Sequence, residues 1–107
     1  MPKGDYLGEF EQIILLAVLR LEKDAYGMEV RREIESRTGR DASIGAVYAT
    51  LDRLETKGLV RSQELAAEGD RSRPRRLYQV TANGARSLER TQVAVASMWE
   101  GVKVRGI

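Results

Sequence analysis

A chain of 107 residues is the size of one domain and can bury one modest core. With 42% apolar and 32% charged residues it has the balance of a globular protein, which excludes wholesale disorder, while a formal charge of +2 names no partner by itself. The absence of cysteine and histidine excludes a disulfide framework, a zinc or other soft-metal site, and Cys-His or Ser-His-Asp catalysis, so no cofactor is expected.

Met1 to Tyr6, with Pro2 and Gly4, reads as a loose arm. From Leu7 to Leu21 the residues Phe10, Ile13, Ile14, Leu15, Leu16, Ala17, Val18 and Leu19 are apolar around most of a helix, so cover is needed on more than one side. A second subunit supplies that cover most economically, and Phe10 and Ile14 are expected at a homodimer interface; a central core helix in a monomer is the alternative. The longest apolar run, Ile13 to Leu19, is too short to span a bilayer, and the N-terminus lacks a signal-peptide pattern. A cytoplasmic protein without a membrane partner is expected.

Asp24 is the expected cap of a second helix, Ala25 to about Thr38, closed by Gly39. Arg40 to Ala42 form a short connector to a third helix, capped by Ser43 and stopped by Gly58. On that helix Ile44, Val47, Leu51 and Leu54 share one arc, with Tyr48 at its margin. Opposite lie Ala46, Ala49 and Arg53, flanked by Gly45, Thr50 and Lys57, a face small enough at its start to approach base-pair edges. Two helices so tightly joined form a helix-turn-helix.

After Gly58 the period changes to that of strands, Leu59 to Glu64 and Arg76 to Val80, around a charged segment containing Arg71, Arg73, Arg75 and Arg76 with no acid among them. The hairpin reads as a wing with a cationic tip, for which a solvated arginine loop is the alternative. Thr81 caps a last helix through roughly Val104, whose stripe of Leu88, Val95, Trp99 and Val102 reads as a dimerisation surface. The expected fold is α+β, mostly α: a winged helix-turn-helix unit over residues 1–80 and a C-terminal dimerisation helix over 81–107, in one compact domain.

Three blocks carry a resemblance beyond composition: Tyr26-Gly27; Gly45-x-x-Tyr48-x-x-Leu51-x-x-Leu54-x-x-x-Gly58-Leu59; and Tyr78-x-x-Thr81-x-x-Gly84. In this order and spacing the chain resembles the PadR family of bacterial transcriptional regulators, in its subgroup with a single C-terminal helix. The resemblance implies a homodimeric repressor whose third helix enters the major groove of double-stranded DNA while the wing meets phosphates or the minor groove. It places Tyr48 at the family's DNA-facing tyrosine, Thr50 and Arg53 at base or phosphate contacts, Ser43 and Gly45 near a phosphate, and the Tyr26 hydroxyl near the backbone. Tyr26 as a core aromatic with a wet hydroxyl is the alternative. Some relatives bind flat aromatic or lipophilic effectors between the C-terminal helices, which makes Trp99 and Val95 candidate effector contacts; simple interface packing is the other reading of Trp99.

The expected function is therefore sequence-specific DNA binding at a pseudo-palindromic operator. In it, Ala46, Ala49, Thr50 and Arg53 read bases and Arg71, Arg73, Arg75 and Arg76 attract phosphates. A winged helix used only as a protein adaptor needs no cationic wing. Enzymatic turnover is not expected, because Asp41, Asp52, Glu55 and Glu64 form no evident catalytic pair.

Overall fold

The computed structural model describes residues 6–66 and 74–105. Helix α1 runs Glu9–Leu21 and begins where the Gly8 amide donates to Glu11 Oε1 at 3.1 Å. It ends in a 3-10 turn, Glu22–Asp24, entered through a positive φ of 51° at Glu22. Helix α2, Gly27–Thr38, starts later than the sequence suggests, and Asp24 does not cap it. Residue 26 instead adopts extended backbone and bridges Leu77, so this stretch is spent on a short strand contact before the helix can begin. Gly39 closes α2 in the left-handed region at φ 72°, its amide donating to Glu35 O.

Helix α3, Ile44–Thr56, follows as expected: Ser43 Oγ accepts the Ala46 amide at 3.0 Å, and Gly58 turns the chain at φ 76°. Strands β1, Val60–Leu65, and β2, Arg75–Val80, pair antiparallel from Val60 opposite Val80 to Leu65 opposite Arg75. The Tyr78 amide donates to Ala25 O at 2.9 Å, adding the segment before α2 to the edge of the hairpin. Helix α4, Ala82–Trp99, is capped by Thr81 Oγ1, which accepts the Gly84 amide at 3.0 Å. It stops five residues before Val104, with Gly101 at φ 78° just past its end.

One core joins Ile14, Leu15 and Val18 of α1, Val30 and Ile34 of α2, Val47, Leu51 and Leu54 of α3, and Val60 and Tyr78 of the hairpin. Ile14, expected at an interface between subunits, is 0% exposed within its own chain. An all-round apolar helix does not say which side its own chain covers. Here Ile14, Leu15, Ala17 and Val18 face inward while Leu16 and Leu19 remain exposed. Phe10 is half-buried against the core, with the Arg40 guanidinium 4.9 Å from its ring centroid. Among the described residues no helix is long and apolar enough to cross a membrane.

Helix α4 is fastened to the turn after α3. Thr81 Oγ1 donates to Gly58 O at 2.7 Å and the Thr81 amide to Leu59 O at 3.1 Å. Gly84 packs so closely here that a Cβ would overlap the Leu59 carbonyl oxygen and sit 2.9 Å from Val80 Cγ1. Further along, Ser87, Leu88 and Thr91 meet the body, and the buried Thr91 Oγ1 accepts the Leu7 amide at 3.0 Å.

Alanine for glycine inside a helix ordinarily gains up to about 1 kcal/mol. Gly84→Ala is expected to lose about 1–3 kcal/mol instead, because backbone must move. Gly45→Ala, with nothing nearer its Cβ than Ser43 Oγ at 4.0 Å, is expected to be neutral or stabilising. Chemical denaturation of both variants checks the contrast; equal effects contradict the packing described.

Candidate nucleic-acid interface

The exposed side of α3 begins at Ser43 and runs through Gly45, Ala46, Ala49 and Arg53, which the structure brings onto one surface. Tyr48 is 40% exposed beside them. The hydroxyl of Ser43 is occupied as the helix cap, which leaves the amides of Ile44 and Gly45 among the first helical donors without an intrahelical partner. These amides and the aligned peptide dipoles favour an anion at this end.

Thr50 does not belong to that face. It is 3% exposed, and its hydroxyl lies 3.4 Å from Arg53 Nη2. Its place three residues after Val47 and four before Leu54 puts it on the buried arc, where the hydroxyl takes a donor from its own helix. Thr50 therefore supports Arg53 from beneath and is removed from the base-reading set.

Tyr48 is held by a missing side chain. A Cβ on Gly27 would overlap Cε1, Cζ and the hydroxyl oxygen of Tyr48, so the ring rests on the bare backbone at the start of α2. Next to it Tyr26 is half-buried, and the Arg75 guanidinium stacks 3.6 Å from the Tyr26 ring centroid. Tyr26, Gly27, Tyr48, Pro74, Arg75 and Arg76 thus share a hollow of about 310 Å³ where α2, α3 and the hairpin meet. The Tyr26–Arg75 stack is invisible in the sequence, because the two residues lie 49 positions apart.

Of the four hairpin arginines, Arg71 and Arg73 lie outside the described residues. Arg76 is engaged in its own hairpin: it donates to Ser62 Oγ at 2.9 Å and pairs with Glu64 at 3.2 Å, its directly opposite residue. Ser62 is itself fixed by Glu55 of α3, whose Oε2 accepts both its amide and its hydroxyl. The hairpin is in this way hydrogen-bonded to the helix beside it. Tyr78, inside this joint, is a core residue; burial and then the nearby Asp52 carboxylate push its phenol up to about 12.

At the other end of α3, Lys57 Nζ sits 2.9 Å from Glu11 Oε2 and Arg53 Nε 3.9 Å from the same oxygen. Burial alone would raise the Glu11 carboxyl. Lys57, the Gly8 amide and Arg53 outweigh it and hold the group below its ordinary range. Glu11 is absent from the site expected on sequence, since residue spacing gives no sign that α1 reaches the end of α3.

Val95 and Trp99 on α4 and Val102 just past its end are exposed, with Trp99 at 57%, whereas Leu88 is partly covered by the core. Val95 and Trp99, with Leu16 of α1 and Leu88, line a groove of about 340 Å³ between α1 and α4. Among the described residues no cluster of acids is arranged to hold a metal ion.

Residues 15–90 match the model of the transcriptional regulator PadR-like family. The chain is 36% identical over 89 residues to an uncharacterized protein of Lysinibacillus sphaericus, an alignment spanning 78% of this chain and 76% of that protein. A PadR family transcription regulator from hypervirulent Clostridium difficile R20291 superposes with a TM-score of 0.66 at 27% identity, over 82% of this chain and 91% of that one. A PadR family transcriptional regulator from Eggerthella lenta DSM 2243 gives 0.66 at 25% identity, over 87% and 81%.

A carboxyl lowered on folding stabilises above its unfolded value and loses that contribution as pH falls through its folded value. Glu11→Gln is therefore expected to cost about 1 kcal/mol at neutral pH. Its deficit against the parent should close as pH drops below the ordinary 4.5. Denaturation curves across that range measure it; a deficit independent of pH would remove the ion-pair account.

Proposed function

The chain belongs to the transcriptional regulator PadR-like family, whose members are transcription regulators and not enzymes, and from that premise we propose that it is a homodimeric repressor binding a pseudo-palindromic operator. The observation that carries this reading is the exposed, small-residue start of α3, Gly45, Ala46 and Ala49, set beside Tyr48 and next to the hairpin. Such a surface lets a helix approach base-pair edges without side chains in the way. Arg53 reads bases from the same face. Ser43 and Gly45 bring the helix N-terminus to a phosphate, and Tyr26 offers its hydroxyl to the backbone.

The hairpin contributes attraction that is largely indifferent to sequence. Arg71 and Arg73, which lie between the two strands in sequence, contact phosphates, and Arg75 reaches the duplex from its stack on Tyr26. Arg76, committed to Ser62 and Glu64, stiffens the wing, and its charge is offset by that of Glu64.

Dimerisation uses the apolar residues that the monomer leaves uncovered. Val95 and Trp99 of α4 and Val102 beyond its end, with Leu16 and Leu19 of α1, form this surface, and Phe10 and Leu88 lie at its partly covered margin. A two-fold pair presents its α3 helices to successive major grooves. The groove holding Val95 and Trp99 accepts a flat aromatic or lipophilic effector whose binding releases the operator.

Phosphate attraction and base reading separate on mutation. Arg73→Ala is expected to weaken binding to every duplex and reduce the slope of log K against log salt by about 0.9 for each phosphate no longer neutralised. Arg53→Ala is expected to harm the operator far more than random duplex, by about 1–3 kcal/mol of discrimination. Fluorescence anisotropy across a salt series checks both. An unchanged slope for Arg73→Ala overturns the wing assignment, and a uniform loss for Arg53→Ala overturns base reading by that residue.

A further inference from the structure

Arg53 and Lys57 follow Ala46 and Ala49 along the outward side of α3, one helical turn apart. Like charges at that spacing repel, and both lie on the side that meets a duplex under the proposed function. The acid that offsets them comes from neither α3 nor the hairpin. Glu11 of α1 brings Oε2 to 2.9 Å from Lys57 Nζ and 3.9 Å from Arg53 Nε, the first a hydrogen bond and the second an ionic contact. Its other oxygen, Oε1, accepts the Gly8 amide at 3.1 Å, which anchors the carboxylate to its own end of α1.

Burial separates this acid from an ordinary surface partner. The Glu11 side chain is 12% exposed, against 55% for Arg53 and 48% for Lys57, so the acid lies beneath and the cations lie above. Arg53 is restrained at two points: Nε faces Glu11, and Nη2 lies 3.4 Å from Oγ1 of the buried Thr50. Nε and Nη2 form one edge of the planar guanidinium. The end formed by Nη1 and Nη2 still has donors to offer, and two parallel donors of that kind suit O6 and N7 of guanine.

We propose that Glu11 is a positioning and specificity-setting residue for DNA recognition, a role that rests on the proposed function: it turns the free end of Arg53 toward base edges and takes up the charge of Lys57. Attraction to phosphates supplies nearly all binding to arbitrary sequence, whereas base contacts supply discrimination. An acid at this place lowers the first more than the second, because it offsets two cations without touching the end that reads. Specificity is a difference between affinities, so weakening the wrong duplex serves it as well as strengthening the right one.

Glu11→Gln keeps an oxygen for the Gly8 amide and removes the charge. In proton–nitrogen spectra of the full chain without DNA, the Arg53 Nε–H signal is expected to move while the backbone amides of Ala46 and Ala49 keep their places. Fluorescence anisotropy across a salt series then follows binding to a scrambled duplex and to a duplex selected from a random pool with the parent chain. Glu11→Gln is expected to bind the scrambled duplex about threefold tighter or more, with a slope of log K against log salt steeper by about 0.9 for each phosphate gained. Its preference for the selected duplex is expected to narrow by about the same factor. Loss of a merely structural residue would instead weaken both duplexes and leave the slope alone. Glu100→Gln, an equal change of net charge at an exposed position past α4, is expected to behave as the parent does. The proposal is overturned if the Arg53 signal stays, if the scrambled duplex binds no tighter, or if Glu100→Gln has the same effect. Should Glu11→Gln fail to fold, Lys57→Gln decides: the shared carboxylate then turns wholly to Arg53, and an unmoved Nε–H signal overturns the proposal. A parent chain that binds no duplex defeats the DNA reading and this role with it, whereas a parent that binds, with Glu11→Gln unchanged, defeats this role alone.

Discussion

The exposed surface of this protein is set by a place where a side chain is missing. Because Gly27 carries no Cβ, the ring of Tyr48 lies against the backbone at the start of α2, and any larger residue there would displace it. The residue before that glycine bridges Leu77 of the hairpin and carries the stacked Arg75 guanidinium. Three elements therefore meet at two consecutive residues. The position of the α3 face relative to the wing is governed by close packing, which is short-ranged and stiff, and salt does little to loosen it.

Charge plays a different part in holding the molecule together. Glu11 joins α1 to the end of α3, Glu55 joins α3 to β1 through Ser62, and Glu64 joins the two strands through Arg76. Each acid is placed where two elements must keep their spacing. At the junction of α3 and α4, by contrast, the contacts of Arg86 and Arg90 among the described residues are with the neutral Asn83 and Ser87.

Much of this arrangement is legible in the amino-acid sequence, because local chemistry determines it. Ser43 and Thr81 cap helices through their own hydroxyls, Gly39 and Gly58 take the left-handed turns, and the change from helical to alternating period marks the hairpin to within a residue. What the sequence conceals depends on contacts between distant segments. Ile14 looks available to a partner because periodicity cannot say which side of an apolar helix its own chain covers. Thr50 reads as flanking the outward face of its helix, yet three residues after Val47 and four before Leu54 it lies on the buried arc, 3% exposed. Asp24 has the chemistry of a cap, but the chain there is committed to the edge of the hairpin before α2 starts. The close approaches at Gly27 and Gly84 give a physical reason for glycine at two motif positions, and neither approach can be inferred without knowing what lies opposite.

Under the proposed function, the start of α3 and the wing act as one surface toward duplex DNA. Backbone amide spectra of the isotopically labelled chain, recorded with and without a short duplex at low salt, probe that unity without intermediaries. Signals of Ile44 through Ala49 and of the hairpin residues near Arg75 are expected to shift together at the same duplex concentration. Shifts confined to α4, or to either of the two segments without the other, would contradict it.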